Sequence, residues 1–246
     1  MSMITHTTDT FILPHQNRLL AAISVDDWQQ WEADLEPVDF SLHEVLYESG
    51  KTPAYMYFPT TAIVSLLYMT KSGASSEVAV IGNDGVVGLS LFLSGSNSPN
   101  QAMVQTAGKG YRVRAQVAKN AINREGSMLN ILLRYSQAMI TQMTQTAVCN
   151  RHHSIDQQLS RRLLLSLDRL PSNEILITQE TLSNMLGVRR ESVTDAALKL
   201  QEAGVISYKR GVITVLDRKA LESHSCECYA TAKKEQERLQ EMAFND

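Results

Sequence analysis

Thr178-Gln179-Glu180-Thr181-Leu182-Ser183-Asn184-Met185-Leu186-Gly187-Val188-Arg189-Arg190-Glu191-Ser192-Val193 is the stretch that decides the reading of this chain. Thr178 is an N-cap candidate, with Thr181 three residues later. The helix it opens stops at Gly187, a residue that tolerates the left-handed backbone of a tight interhelical turn. A second helix starts at once over residues 189–203 and ends at Gly204. Val193, Ala196, Ala197 and Leu200 recur at steps of three and four, so one face packs inward. The opposite face begins with Arg189, Arg190, Glu191 and Ser192. Upstream, residues 175–177 form a short apolar strand. Downstream, Val205-Ile206-Ser207-Tyr208 and Val212-Ile213-Thr214-Val215 alternate around the basic tip Lys209-Arg210-Gly211. Strand, helix, glycine turn, charged helix and basic hairpin, in that order, spell a winged helix-turn-helix.

Such a unit has the chemistry to read DNA. A recognition helix enters the major groove with its N-terminal residues against base edges. Arginine matches the O6 and N7 acceptors of guanine, and glutamate accepts from the cytosine amino group. Arg190 and Glu191, at the head of the second helix, carry these two kinds of group. Arg189, Ser192, Thr194 and Thr178 are weaker base or phosphate contacts, and Lys209 and Arg210 meet the phosphate backbone. A winged helix used for protein contacts is the competing reading.

The rest of the 246 residues supplies a second, different domain. A hydrophobic content of 43% and a charged content of 20% suit a globular chain. No apolar run reaches the ~18–20 residues of a membrane span. Residues 1–15 lack the pattern of a signal peptide, which predicts a cytoplasmic protein with no membrane partner. The net charge of −3 conceals an asymmetry: residues 151–220 carry eleven Lys and Arg against eight Asp and Glu, whereas both flanks are acidic.

Short β-rich runs at residues 44–47, 55–58, 62–69, 77–81, 102–106 and 111–114 are punctuated by Gly, Pro and Asn-Asp-Gly. They predict an antiparallel barrel or sandwich. Short helices are expected ahead of it at 17–23 and 26–34, and another around 116–124. Gly126 interrupts, and Ser127 can cap a helix to about Arg151, roughly 37 Å long. Leu129, Leu133, Ser136, Ile140, Met143 and Ala147 follow the spacing of a coiled-coil seam. Met128, Leu132, Tyr135 and Met139 make a second stripe beside it. One stripe can cover the barrel while the other meets a second copy of the chain. Ser154-Ile155-Asp156 is the expected hinge before an amphipathic helix at 157–170.

This order resembles the Crp/Fnr family of bacterial transcription regulators, over nearly the whole chain from about Asn17. The most specific matches are Ile177-Thr178-Gln179-Glu180 and Gly187-Val188-Arg189-Arg190-Glu191-Ser192-Val193. Tyr57-Phe58-Pro59-Thr60, Cys149-Asn150-Arg151-His152-His153 and Cys226-Glu227-Cys228-Tyr229 look like a proteobacterial subgroup of that family. The resemblance implies an α+β chain, divided as a flexible arm (1–16), a β-roll sensor of the cyclic-nucleotide-binding kind (17–126), a dimerisation helix (127–153), a winged helix-turn-helix (154–223) and a tail (224–246). It implies that the Arg-Glu pair at the start of the recognition helix, Arg190 and Glu191, reads bases, and that a homodimer sits on a pseudo-palindromic DNA site, with RNA polymerase as a candidate further partner.

Two departures stand out against the family pattern. Asp195 occupies the place of a third base-reading arginine, so the target site should differ from the best-known family site. The usual Gly-Glu pair that holds a cyclic nucleotide is here Gly88-Leu89, and the Arg-Ser position falls near Asn100-Gln101. Leu89 cannot accept from a ribose hydroxyl, and no cation stands ready for the phosphate. Cyclic AMP in the usual mode is not expected. Another small effector could use a cavity bounded by Gly88, Leu89, Asn100, Gln101, Met143 and Thr144.

No cofactor is evident, and no metal site is assigned. Cys149, Cys226 and Cys228 are an odd number, which argues against a disulfide framework, and Cys226-x-Cys228 lacks the second pair of a zinc ribbon. Redox or metal sensing through Cys149, His152 and His153 is kept as an alternative function. The tail at 233–242 reads as a solvated helix. Nucleophile elbows, phosphate loops and zinc-protease motifs are absent from the sequence, so no enzyme activity is expected.

Overall fold

The computed structural model describes residues 13–93, 97–123 and 126–244. After a 3-10 turn at Pro14–Gln16, α1 (Arg18–Ala21) and α2 (Val25–Trp31) lead into β1 (Glu36–Phe40), β2 (Val45–Tyr47), β3 (Tyr55–Pro59), β4 (Ile63–Met69) and β5 (Ser75–Ile81). The short α3 (Ser90–Leu93) precedes β6 (Gln101–Thr106) and β7 (Gly108–Arg114), and α4 (Ala115–Ile122) precedes the long α5 (Ser127–His152). The C-terminal unit runs α6 (Ile155–Leu167), β8 (Glu174–Leu176), α7 (Gln179–Leu186), α8 (Arg190–Glu202), β9 (Ile206–Lys209), β10 (Val212–Val215) and α9 (Arg218–His224), followed by α10 (Glu227–Phe244).

Two antiparallel sheets, ordered β1-β7-β3 and β2-β6-β4-β5, make the expected β-roll. Met56, Phe58, Val64, Ile81 and Val104 fill it, each essentially without solvent exposure. Complete burial of such a side chain contributes about 1.5–3 kcal/mol. Strand β1 escapes the sequence reading because Pro37 and two acidic residues break its pattern. As an edge strand it tolerates the proline. Its charges find partners across the ladder, Glu36 on Arg112 and Asp39 on Lys109. Gly108-Lys109-Gly110, which falls between the β-rich runs 102–106 and 111–114, lies inside β7. A Cβ at Gly110 would stand 2.4 Å from the Phe58 carbonyl oxygen, so glycine here permits a close backbone approach.

The described residues already include a turn before residue 17. The arm expected over 1–16 lies outside the described residues up to residue 12, but Pro14–Gln16 forms its turn and Asn17 is fully buried. Asn17 Nδ2 donates to the carbonyls of Pro59 (2.8 Å) and Gly85 (2.9 Å), while its Oδ1 caps α1.

Helix α5 divides its two stripes sharply. Met128, Leu132, Tyr135 and Met139 are buried against the roll. Leu133 is 51% exposed and Ile140 59%, with Ala147 and Val148 exposed beyond them. The seam drawn from sequence is therefore rotated. Ser136 is buried, its hydroxyl donating to the Leu132 carbonyl, and Leu129 and Met143 lean on the roll core. The outward row is Leu133, Gln137, Ile140, Thr144 and Ala147.

The break after α5 is tighter than expected. His153 ends α5 in extended backbone, and Ser154 caps α6 through a capping box with Gln157, so Ile155 and Asp156 are already helical. The tail is not a solvated appendage either. α10 lies along α5, with Tyr229 and Ala232 buried and Lys233, Glu235 and Gln236 half-buried; its alternating charges concealed the packed face.

Candidate DNA-recognition surface

Thr178 Oγ1 accepts from the Thr181 amide at 3.1 Å and opens α7, which closes at Gly187 in the left-handed conformation (φ 66°). Arg189 is extended and starts α8 without any side-chain cap, leaving the first amides of the helix open. Val193, Ala196, Ala197 and Leu200 anchor the inner face of α8 in a core with Leu159, Leu163, Leu182, Ile206 and Ile213. Arg189, Arg190, Glu191 and Asp195 are exposed. Among the described residues, no ion pair engages the two arginines or Glu191. Ser192 is half-buried beside them. The Thr194 hydroxyl lies within donating distance of the Gln179 side-chain oxygen and the Arg190 carbonyl, each at 3.0 Å.

The wing is a two-residue hairpin. Lys209 pairs with Val212, and both central residues have positive φ, Arg210 at 51° and Gly211 at 80°. This is the primed turn whose twist suits a hairpin. A non-glycine residue in that conformation costs about 1–2 kcal/mol. Lys209 and Arg210 are exposed at its tip. Tyr208 braces the base of the wing, its hydroxyl donating to the Ile177 carbonyl, and burial pushes its pKa up.

A second set of arginines fastens this unit to the roll. Arg162 of α6 meets Glu77 of β5 at 2.6 Å, with the side chains 4% and 7% exposed. Ser65 donates to the same carboxylate at 2.5 Å, and Gln105 accepts from Arg162. Seven residues further on, Arg169 meets Asp84 at 2.6 Å, with comparable burial. A Cβ on Gly82 would stand 2.7 Å from the Arg169 Cβ, so the glycine makes room for that stem. Ile63 and Val80 of the roll join the apolar core of the C-terminal unit, and Gln142 of α5 accepts from the Val80 amide at 2.7 Å. These partners went unnoticed in the sequence because the two ends of each pair lie 85 residues apart.

Residues 157–224 match the Crp-like helix-turn-helix domain family. Solved structures match over most of the chain. A transcriptional regulator of the Crp/Fnr family from Eubacterium rectale is 16% identical with a TM-score of 0.65, covering 85% of this chain and 98% of that one. FixK2 of Bradyrhizobium japonicum is 16% identical with a TM-score of 0.65, covering 78% and 98%. The c-di-GMP-responsive global regulator CLP of Xanthomonas campestris is 13% identical with a TM-score of 0.62, covering 79% and 100%. The fold is that of the Crp/Fnr regulators. No curated protein sequence matches the chain. Among the described residues, no helix is long and apolar enough to cross a membrane.

Within this Crp/Fnr fold the candidate effector residues fall into separate settings. Gly88 has φ 99°, and a Cβ there would come within 3.0 Å of the Tyr55 carbonyl oxygen. Leu89 and Met143 pack against the roll core. Asn100 donates its amide to Ser98 Oγ at 3.2 Å, and Gln101 donates to Glu48 at 2.7 Å. Thr144 is exposed on the outer row of α5.

The cysteines behave differently from their sequence spacing. Cys149, near the end of α5, is buried against Cys226 and Cys228, and His153 joins them. His152 is exposed and takes no part. Burial pushes the Cys149 thiol up to about 12 and the Cys228 thiol up to about 11.

Proposed function

We propose that the chain is a homodimeric, sequence-specific DNA-binding transcription regulator. The observation that carries this reading is the head of α8. Arg189, Arg190 and Glu191 stand exposed beside an uncapped helix N-terminus, while the inner face of the same helix is locked by Val193, Ala196, Ala197 and Leu200. Fixed donors on a rigid helix suit base edges and phosphates. Arg190 and Glu191 read bases; Arg189, Ser192, Thr194 and Thr178 contribute weaker contacts, and Lys209 and Arg210 hold the backbone from the wing. Asp195 shifts the preferred site away from one that a third arginine would read.

The outward row of Leu133, Ile140 and Ala147 supports a dimer through α5, because apolar side chains at that spacing gain by meeting a second copy. Two recognition helices would then address half-sites about one helical turn, roughly 34 Å, apart. A small effector other than cyclic AMP, bound at the β-roll between the strands and α5, would modulate binding, and RNA polymerase is a candidate downstream partner.

Equilibrium binding of a mixed-sequence DNA duplex across a salt series tests this function. Affinity that falls steeply as salt rises supports phosphate contact. Salt-indifferent binding, or none, would favour a winged helix used for protein contacts.

A further inference from the structure

Three cysteines and one histidine converge where three helices meet. Cys149 lies on the last turn of α5, and His153 caps that helix four residues later, its amide donating to the Cys149 carbonyl at 3.0 Å. Cys226 and Cys228 flank the first residue of α10, Cys226 lying 77 residues beyond Cys149. Cys149 Sγ lies 3.5 Å from Cys226 Sγ, and Cys228 Sγ lies 3.6 Å from His153 Nδ1. All four ligand atoms fall within 4.8 Å of one another. We propose that Cys149, His153, Cys226 and Cys228 bind a single divalent ion of zinc type.

Spacing supports one ion. Zinc bonds of about 2.3 Å to sulfur and 2.0–2.1 Å to nitrogen place tetrahedral ligands about 3.6–3.8 Å apart. An iron–sulfur cluster would stand between its ligands and hold them farther apart. Three sulfurs and an imidazole nitrogen are also a donor set that favours zinc over hard cations.

Two neighbours are placed as a metal site requires. His153 turns Nδ1 to the sulfurs and Nε2 to the Glu227 carboxylate, 3.3 Å away. That carboxylate fixes the tautomer with its lone pair on Nδ1, the arrangement found around metal-bound histidines. Arg161 is 5% exposed, its charge acts on all three sulfurs, and its Nε makes no hydrogen bond. Among the described residues, no carboxylate forms an ion pair with it. Three thiolates around a divalent ion carry one net negative charge, which would add to that of Glu77 in balancing this buried guanidinium.

The location gives the ion a consequence. It ties the last turn of α5 to the first turn of α10 across the break at His153 and Ser154, where the roll and its helix give way to the helix-turn-helix unit. The ion would therefore fix how that unit hangs from α5.

The test uses full-length protein purified without chelator. Zinc is measured by mass spectrometry, thiols are counted, and the metal-free protein is titrated with cobalt(II). About one zinc per chain is expected, with cobalt giving tetrahedral bands and strong thiolate charge transfer. Cys228→Ser should lose the metal and most of the charge-transfer intensity. Glu227→Gln, at an exposed side chain, should keep the fold and weaken metal affinity about 10- to 100-fold. Folded protein with three free thiols that takes up neither zinc nor cobalt would overturn the proposal. So would a Cys149–Cys226 disulfide in the protein as isolated, or Glu227→Gln with unchanged affinity.

Discussion

Arg162 on α6, Arg169 in the turn just beyond it, and Arg189 and Arg190 at the head of α8 belong to one unit, and the two pairs do opposite physical work. The first two are buried, each held to a carboxylate of the roll at 2.6 Å. The second two are exposed and, among the described residues, without an ion-pair partner. Burial is the difference that matters. A desolvated guanidinium must be paired and becomes part of the architecture, whereas a solvated one on a rigid helix stays available for a ligand. The same residue type thus separates the surface that holds the unit to the roll from the surface offered outward.

The largest effect should come from the buried set. Arg162→Ala leaves Glu77 charged and unpaired inside the protein, and should cost about 3–5 kcal/mol of stability in chemical denaturation. Replacing Arg162 by Met and Glu77 by Leu together should recover most of that loss. By contrast, Arg189→Ala should move stability by no more than about 0.5 kcal/mol. Equal losses from Arg162→Ala and Arg189→Ala would erase the distinction between the two sets.

Next in size is the readout itself. Arg190→Ala should cost about 1–3 kcal/mol of DNA affinity and relax preference at one position of each half-site, with the denaturation midpoint unchanged. Lys209→Ala should weaken all sequences alike and reduce the salt slope by about 1, as expected for the loss of one phosphate contact. The smallest effect lies at the wing tip. Arg210→Gly relieves a left-handed side chain and should stabilise the fold by about 1 kcal/mol while weakening DNA binding. A fall in stability there would show that the turn is not strained.

What the sequence revealed follows the same division. Gly187, the period of α8 and the Lys209-Arg210-Gly211 tip are local features, spaced within a few turns, so the helix-turn-helix could be read residue by residue. Strand β1 could not, because Pro37, Glu36 and Asp39 make sense only against Lys109 and Arg112 on another strand. The pairs of Arg162 with Glu77 and Arg169 with Asp84 join distant segments, as do Cys149 and Cys226. Cys226-x-Cys228 alone is half of a site, and only the fold brings it to the end of α5. The packed face of α10 was hidden by charges that alternate along it.

The central claim is that the exposed arginines read a two-fold site. Selection of fragmented genomic DNA by the purified protein, without added ligand and at two salt concentrations, addresses it most directly, with Arg190→Ala run beside the wild type. The account predicts enrichment of a symmetric motif with half-sites about one helical turn apart, and loss of preference at one position per half-site in the variant. An enriched motif that Arg190→Ala reads unchanged, or failure to bind DNA at either salt, would contradict it.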